Sequence, residues 1–312
     1  MRFATYLHDG ATRAGVVTDD GLHPLPDGAT VLGLIRKGLP TALALGTYAL
    51  RSPAVPLEAV RLLPPLNPPT VRDFVTFEEH VEGIAGGVVP EWYEAPTFYF
   101  TNPYALVGAH DDVPVPPGSQ AFDFELEVAA VIGHDGASLT PAEARDAIFG
   151  YTILNDWSAR DLQRREMKVN LGPAKGKDSA TTLGPWLVTA DELESFRDGD
   201  GFLALEMRVS VNGREVGRDL LSNMGWPFED LVSYASRGTW VRIGDVLGSG
   251  TCGNGGCLAE LWGRGRDIPP LAPGDVVEMT VDGLGTIRNT VVAGVELPPV
   301  APARPRPRKR AR

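Results

Sequence analysis

Cysteine is almost missing from this chain, and so are long apolar runs. Only Cys252 and Cys257 occur among 312 residues. That number excludes a disulfide framework, and we expect two buried or idle thiols in a reducing cytoplasm. No apolar run reaches the roughly eighteen residues that a membrane helix needs, and the start, MRFATYLHDG, lacks the features of a signal peptide. The expectation is a cytoplasmic protein with no membrane partner.

Several familiar catalytic motifs are also missing. The sequence has no GxSxG elbow and no HExxH motif, which argues against a serine hydrolase of that type and a zinc protease. The basic loop 172–177 lacks the GxxxxGK[ST] spacing of a phosphate-binding loop. Any chemistry must therefore come from a different set of residues.

Negative charge dominates, but it is unevenly placed. The formal net charge is −11, whereas residues 301–312 (APARPRPRKRAR) carry six basic residues and no acid. A body this acidic is a poor partner for nucleic acid, and an alternation of Pro and Arg resists packing. We expect residues 299–312 to be a basic disordered tail, and we expect no nucleic-acid partner.

What the chain has in abundance is turn-forming residues, with 36 Gly and 27 Pro. Many short strand-like runs, few long helices and no regular βαβ alternation favour an α+β fold that is mostly β. Residues 1–65 resemble a separate small β domain with tight turns at Asp9-Gly10 and Asp20-Gly21. A proline-rich link follows, and residues 70–298 form the larger domain.

Local signals predict individual elements in the larger domain. Thr140 followed by Pro141 and Glu143 has the pattern of a capped helix start. Asn212-Gly213 between two apolar runs indicates a hairpin. Residues 228–236 are predicted to be helical, and residues 258–262 are predicted to be a strand.

Acidic residues inside strand-like runs are the first candidates for a site. Glu125 and Glu127 are two residues apart in the run 122–132, so both face one side of a strand, about 6.6 Å apart. Asp156, at the end of another apolar run, adds a third carboxylate. Oxygen ligands of this kind suit Mg²⁺ or Ca²⁺. A solvated strand face is the alternative, and the residues alone leave both open.

A second group consists of His80 and several hydrogen-bond donors. A lone histidine after a strand is more often structural than catalytic, and Asp73 could be a further ligand or only a cap. Arg160 and Gln163 lie three apart on one face of a predicted helix. With Lys177 they could bind an oxyanion, although a solvated basic helix face explains them equally simply.

Taken together, these segments resemble the fumarylacetoacetate hydrolase family. The resemblance covers about residues 70–295 in the family's order, and the NDWSARD motif with ELE upstream is highly specific. The matching segments are RDFVTFEEH (72–80), FDFELEVAAVIG (122–133), NDWSARDLQ (155–163), LGPAKGK (171–177), TTLGPW (181–186) and GTC…LAELWG (250–263).

The resemblance implies a mixed β-sandwich roll behind a small N-terminal SH3-like β domain, usually in a homodimer. It implies a bound Mg²⁺ or Ca²⁺ whose ligands match Glu125, Glu127 and Asp156. Asp73 matches a fourth ligand that some branches of the family lack. His80 matches the general base, and Glu260 matches the carboxylate that orients it.

Further site residues are also implied by the resemblance alone. Positions matching substrate and oxyanion contacts are Arg160, Gln163, Lys177, Tyr99 and Thr251. Val75 and Val89 stand where fumarylacetoacetate-cleaving members have a tyrosine and an arginine, which argues against fumarylacetoacetate itself as the substrate. Residues 82–94 are expected to form a lid that sets specificity.

The implied function is that of a fumarylacetoacetase-like catabolic hydrolase acting on carbon–carbon bonds in ketonic substances. Its small-molecule substrate would be a β-diketone or an acylpyruvate-type oxo acid, and the His80–Glu260 pair would activate water. A decarboxylase, isomerase or hydratase acting on a 2-oxo acid is the alternative on the same fold. A non-enzymatic protein tethered through the basic tail is a third hypothesis, against which the acidic body argues.

Overall fold

A computed structural model describes residues 1–304. The predicted disordered tail, residues 299–312, lies mostly outside this range. Among residues 1–304, none of the helices has the length and apolar character needed to cross a membrane.

Strands make up the framework of the fold, and they are numbered here along the chain. They are β1 Arg2–His8, β2 Ala11–Thr18, β3 Gly21–Pro24, β4 Arg61–Leu63, β5 Val71–Phe74, β6 Phe98–Thr101, β7 Leu106–Val107, β8 Val113–Pro114, β9 Phe122–Asp123, β10 Leu126–Ile132, β11 Gly136–Ala137, β12 Ile148–Asp156, β13 Ser158–Ala159, β14 Thr181–Thr189, β15 Glu206–Val211, β16 Arg214–Leu220, β17 Trp240–Val241, β18 Val246–Gly248, β19 Val276–Val281 and β20 Gly285–Val292.

Short helices lie around these strands. They are α1 Val31–Arg36, α2 Leu39–Ala49, α3 Glu78–Ala85, α4 Pro141–Ala147, α5 Arg160–Met167, α6 Ala190–Leu193, α7 Phe228–Ser236 and α8 Leu258–Gly263.

Two mixed sheets organise the described part of the chain. The larger has the order β3-β2-β1-β14-β12-β10-β18-β5-β6, with β4 beside β1 and β7 beside β14. The smaller has the order β16-β15-β19-β20-β8. Most pairs are antiparallel, but β18 runs parallel to β5, β7 runs parallel to β14, and β8 runs parallel to β20. The predicted α+β fold with mixed sheets is confirmed.

Two central strands of the larger sheet lead to the predicted acidic residues. Every residue of β10 and of β12 is buried, as expected of strands whose two faces are both covered. Their antiparallel register pairs Leu126 with Asn155 and Glu127 with Leu154. The beginning of β10 therefore lies beside the end of β12, and Glu125 and Glu127 come close to Asp156.

The N-terminal strands continue the same large sheet. Arg2 of β1 pairs with Val188 of β14, and Phe3 belongs to a buried cluster that also contains Phe149 and Leu187. The division near residue 65 and the SH3-like character of the first part stay predictions. The pairing with β14 shows how closely that part is joined to the rest.

Several local predictions are confirmed. Thr140 caps α4 by accepting a hydrogen bond from the Glu143 N–H, and the Glu143 side chain bonds back to the Thr140 backbone. Asn212-Gly213 joins β15 to β16, and both residues have positive φ as a tight hairpin turn requires. Helix α7 has the predicted bounds.

The prediction of a strand at residues 258–262 is wrong, because this segment is helix α8. Short apolar runs do not distinguish the two structures by their pattern. The helix is specified by its capping groups. The Cys257 sulfur accepts the Glu260 N–H at 3.3 Å, and the distant Asp123 carboxylate accepts the first two helical N–H groups at 2.8 and 2.9 Å.

Candidate active site

An open cavity of about 230 Å³ lies beside α3, close to the beginning of β10. Predicted site residues form much of its lining. Those that line it are Asp73, His80, Tyr99, Glu125, Arg160, Gln163, Lys177 and Thr251. The predicted residues Glu127, Asp156 and Glu260 are fully buried and contact members of this lining.

Three carboxylates form a compact buried cluster next to the cavity. Asp73, Glu125 and Glu127 each place an oxygen within 4.8 Å of the other two. Gly248 of β18 leaves the space for them, since a Cβ there would lie 2.6 Å from Asp73 Oδ1 and 2.9 Å from Glu127 Oε2. Asp73 was expected only as an optional ligand, but its position places it within the carboxylate cluster.

Asp156 adjoins this cluster through shared hydrogen bonds. Its Oδ2 accepts a hydrogen bond of 2.8 Å from Lys177 Nζ. The Tyr99 hydroxyl lies within hydrogen-bond distance of Asp156 and also 2.7 Å from Asp73 Oδ2. One hydroxyl proton cannot serve two ionised carboxylates, so another proton or a cation is needed between them.

The pKa values of these groups reflect their burial. Burial raises the pKa of Asp156 to about 7, and Glu125 and Asp73 act in the same direction. Burial and the adjacent Asp73 raise the pKa of Glu127 well above its usual value. At Glu125, burial is outweighed by Arg160 and Lys177, which lower its pKa to about 2. Glu125 is thus the carboxylate most firmly held in its ionised form.

The arrangement fits a hard divalent cation. Asp73 Oδ1 and Asp156 Oδ1 are buried and accept no hydrogen bond from the described residues. Buried carboxylates that lack donors repel each other unless a proton or a metal compensates them, and clustered carboxylate oxygens are what Mg²⁺ and Ca²⁺ bind. Metal binding by these four side chains stays a prediction that the orphaned oxygens support.

His80 and Glu260 come together although they are distant in sequence. His80 lies on α3 and Glu260 on α8, with His80 Nδ1 3.9 Å from Glu260 Oε2. Arg264 Nε lies 3.0 Å from the other carboxylate oxygen, Oε1. The imidazole lines the cavity and the carboxylate lies behind it, in the relative position expected of a base and its orienting partner but beyond hydrogen-bond distance.

The predicted oxyanion contacts are held by carboxylates in this structure. Arg160 Nε donates to Asp123 at 2.8 Å, its Nη2 lies 2.6 Å from Glu125 Oε1, and its Nη1 donates to Gln163 Oε1 at 3.0 Å. The Lys177 ammonium bridges Glu125 and Asp156. These contacts fix the position of both cations at the edge of the cavity.

The wall near α3 is apolar. Val75, Val81 and Ile84 line the cavity there, whereas Val89 is 61% exposed and lies outside the lining. Trp92 Nε1 donates to the Val75 carbonyl at 2.8 Å and so anchors the segment that follows α3. A lid function for residues 82–94 stays a prediction.

Two residues of the site were missed in the sequence. Asp123 is fully buried and binds both Arg160 and the first turn of α8. Cys257 is buried as expected, but its sulfur lies 3.8 Å from His80 Nδ1. Asp123 stands two residues before Glu125 in the family-like motif, which was an available signal. Nothing in the sequence indicated the neighbours of Cys257.

Comparison with known proteins gives consistent results. A sequence model of the fumarylacetoacetate hydrolase C-terminal domain matches residues 70–292. A mitochondrial oxaloacetate tautomerase of Homo sapiens is 30% identical over 284 residues, which cover 89% of this chain and 84% of that protein. A fumarylacetoacetase of Arabidopsis thaliana is 29% identical over 262 residues, covering 67% of this chain but only 62% of the plant protein.

A solved structure resembles the whole described fold. The fumarylacetoacetate hydrolase from Exiguobacterium antarcticum superimposes with a TM-score of 0.75 at 26% sequence identity. The match covers 94% of this chain and 99% of that one. Because the family's sequence model begins at residue 70, a match of this extent also takes in most of the N-terminal part.

Proposed function

The chain belongs to the fumarylacetoacetate hydrolase family, and from this we propose that it hydrolyses a carbon–carbon bond in a β-diketone or acylpyruvate-type oxo acid. One observation carries the proposal. His80, backed by Glu260 at 3.9 Å, lines the same cavity as the carboxylate cluster. A base held beside a cation site is what attack by water on a carbonyl group requires.

The side chains that would hold the cation, Mg²⁺ or Ca²⁺, are Asp73, Glu125, Glu127 and Asp156. When bound there, a divalent ion would act as a Lewis acid that polarises the oxygens of a diketone. The Tyr99 hydroxyl lies within hydrogen-bond distance of two of these carboxylates and can donate to either of them from the cavity side.

His80 would take the proton from water as the water oxygen adds to the carbonyl carbon. Glu260 would stabilise the resulting imidazolium because its charge lies buried behind the ring. The carbon–carbon bond then breaks, and its electron pair leaves with the enolate of the oxo-acid fragment. Proton transfer to the enolate carbon completes the reaction and gives two acids from one substrate and one water.

Lys177 and Arg160 would bind the negative charge of the substrate. Both form ion pairs with Glu125 in this structure. If the charges of Glu125 and Asp156 were compensated by a bound cation, the Lys177 ammonium could bind a substrate carboxylate. The opposite wall, formed by Val75, Val81 and Ile84, suits an uncharged acyl group. This distribution favours an acylpyruvate over a substrate with a carboxylate at each end.

An isomerase or tautomerase acting on a 2-oxo acid is the second candidate. The human relative that covers 89% of this chain is an oxaloacetate tautomerase. Such a reaction moves a proton within one molecule and needs no attacking water. His80 could also carry that proton, so the products distinguish the two candidates.

The experiment is a screen of acylpyruvates and oxaloacetate with added Mg²⁺, following the enol absorbance. Both reactions change this absorbance, so the products are then identified by mass spectrometry. Hydrolysis gives two smaller acids, whereas tautomerisation leaves the mass unchanged. If the enol signal disappears and no fragment forms with any acylpyruvate, the hydrolase proposal is wrong and the tautomerase is supported.

A further inference from the structure

A second group of metal-ligand types lies beside the carboxylate cluster. A ring nitrogen of His80, the Cys257 sulfur and a Glu125 carboxylate oxygen all lie within 4.8 Å of one another. All three residues are buried. They come from α3, from the residue that caps α8 and from the segment before β10, so three parts of the chain converge on one point.

The spacing of these atoms is close to that of a tetrahedral zinc site. Zn–S bonds of about 2.3 Å and Zn–N bonds of about 2.05 Å would place the two ligand atoms roughly 3.6 Å apart. In the structure, Cys257 Sγ is 3.8 Å from His80 Nδ1. A shift of a few tenths of an ångström would therefore satisfy both bonds.

Charges of both signs surround this point, and one buried carboxylate oxygen has no donor among the described residues. Glu260 Oε2 is fully buried, accepts no hydrogen bond within residues 1–304, and lies 3.9 Å from the same nitrogen, His80 Nδ1. Arg160 and Lys177 hold Glu125 ionised despite its burial. Two carboxylates thus flank a thiol and an imidazole, and a bound cation would compensate Glu260 Oε2, the oxygen that lacks a donor.

We propose that His80, Cys257 and Glu125 form a second metal site, which binds Zn²⁺ and shares Glu125 with the carboxylate cluster. Thiol and imidazole ligands select zinc, whereas Mg²⁺ and Ca²⁺ prefer a site made entirely of oxygen. The thiol proton passes to solvent as the Zn–S bond forms. With zinc on Nδ1 the neutral imidazole carries its proton on Nε2, so neither ring nitrogen is free to accept a proton from water.

Zinc binding at this site does not depend on the proposed hydrolysis. Inhibition of turnover by the bound zinc does rest on that function. The simpler explanation of Cys257 is that its sulfur only caps α8 by accepting the Glu260 N–H. Serine can make the same cap with its oxygen but is a poor zinc ligand. Cys257→Ser therefore distinguishes a capping thiol from a metal ligand.

The test uses the full chain, freed of metal and then supplied with excess Mg²⁺ to fill the carboxylate cluster. Co²⁺ replaces zinc as the spectroscopic probe, because a thiolate bound to cobalt gives a charge-transfer band in the near ultraviolet. We expect one equivalent of Co²⁺ to produce this band and one equivalent of Zn²⁺ to remove it. Zinc affinity is measured separately by competition with a coloured chelator.

The matched variants are Cys257→Ser and Cys252→Ser, since both thiols are fully buried but Cys252 is outside the cluster. Cys257→Ser should abolish the band and weaken zinc binding at least about 10-fold, whereas Cys252→Ser should preserve both. If Cys257→Ser fails to fold, His80→Gln takes its place and must weaken zinc binding in the same way. Absence of the band from the unmodified protein, or its survival in Cys257→Ser, would overturn the proposal, whatever reaction the enzyme catalyses.

Discussion

Asp123 connects two parts of the site that lie on different helices. Its carboxylate accepts hydrogen bonds from Arg160 Nε and from the first two N–H groups of α8. Arg160 in turn contacts Glu125, and α8 carries Glu260. One fully buried carboxylate therefore positions a ligand of the carboxylate cluster and the partner of the base without touching the cavity.

We predict that Asp123→Asn destabilises the protein by about 3–5 kcal/mol, because it removes one charge of a buried ion pair and its NH2 group cannot accept the hydrogen bonds that the Asp123 carboxylate accepts. The measurement is the free energy of unfolding from urea titration. Asp112→Asn, at an exposed position, is the matched control and should change it by less than about 0.5 kcal/mol. Equal stability of the two variants would contradict this role of Asp123.

His80 is the residue on which the proposed hydrolysis depends. His80→Gln should lower kcat by about 10²–10⁴, the usual contribution of a general base, while Mg²⁺ binding measured by calorimetry persists because the carboxylate cluster is intact. His134→Gln, at an exposed position, serves as the control and should retain full activity. A His80→Gln enzyme with unchanged turnover would mean that another group activates water.

At the scale of the helices, α3 and α8 approach each other closely. A Cβ added at Gly83 would lie 2.3 Å from Glu260 Cγ, and one added at Gly263 would lie 1.9 Å from the Gly83 carbonyl oxygen. Only glycine allows this contact. The distance between His80 and Glu260 therefore depends on two residues that have no side chain.

We predict that Gly83→Ala costs about 1–3 kcal/mol of stability through overpacking and lowers kcat by pushing His80 away from Glu260. Gly87→Ala is the matched control, since nothing lies within 4 Å of a Cβ there. Thermal unfolding and turnover are measured for both variants. If Gly83→Ala loses stability but keeps full turnover, the spacing of the two helices does not control the base.

Elements with local signals were predictable from the sequence. Helix α4 has its complete cap in four consecutive residues, and the β15–β16 hairpin has an Asn-Gly turn. Helix α8 was mistaken for a strand because two of its capping bonds come from Asp123, far away along the chain. A local sequence pattern indicates contacts between residues that are near each other in sequence. It could not predict the order of the strands in the sheets.

The same limit applies to the site. Glu125 and Glu127 could be identified by their spacing in an apolar strand, and His80 and Glu260 by family resemblance. Cys257 lies beside His80 because α3 packs on α8. No sequence spacing indicates this packing. The Lys177 bridge between Glu125 and Asp156 likewise depends on the strand register.

At the scale of the whole molecule, the buried carboxylates make stability depend on pH. Burial raises the pKa of Asp156 from 3.8 to about 7 and raises those of Asp73 and Glu127 in the same direction. A group with a raised folded-state pKa stabilises the fold below its unfolded pKa, and that contribution is lost as pH rises through the folded value. Without metal, the protein should therefore lose stability between about pH 4 and pH 7.

We predict that Mg²⁺ stabilises the protein more at pH 8 than at pH 5.5, because the cation replaces protons that the carboxylates have lost by pH 8. One pKa unit corresponds to about 1.4 kcal/mol, and we expect a difference of at least about that size. Unfolding is measured with Mg²⁺ and with EDTA at each pH, and K⁺ at equal ionic strength is the control. Equal or smaller stabilisation at pH 8 would contradict a cation among these carboxylates.

The pairing of β1 with β14 has a consequence for how the protein is made. Arg2 pairs with Val188, so an early strand must find a partner that is synthesised some 186 residues later. At ribosomal rates of about 5–20 residues per second, the edge of β1 that faces β14 stays unpaired for roughly 10–40 s. During that interval β1 has only its local neighbours. The large sheet is therefore completed late in synthesis, and we expect the nascent chain to be most exposed to misassembly while β10 and β12 are still emerging.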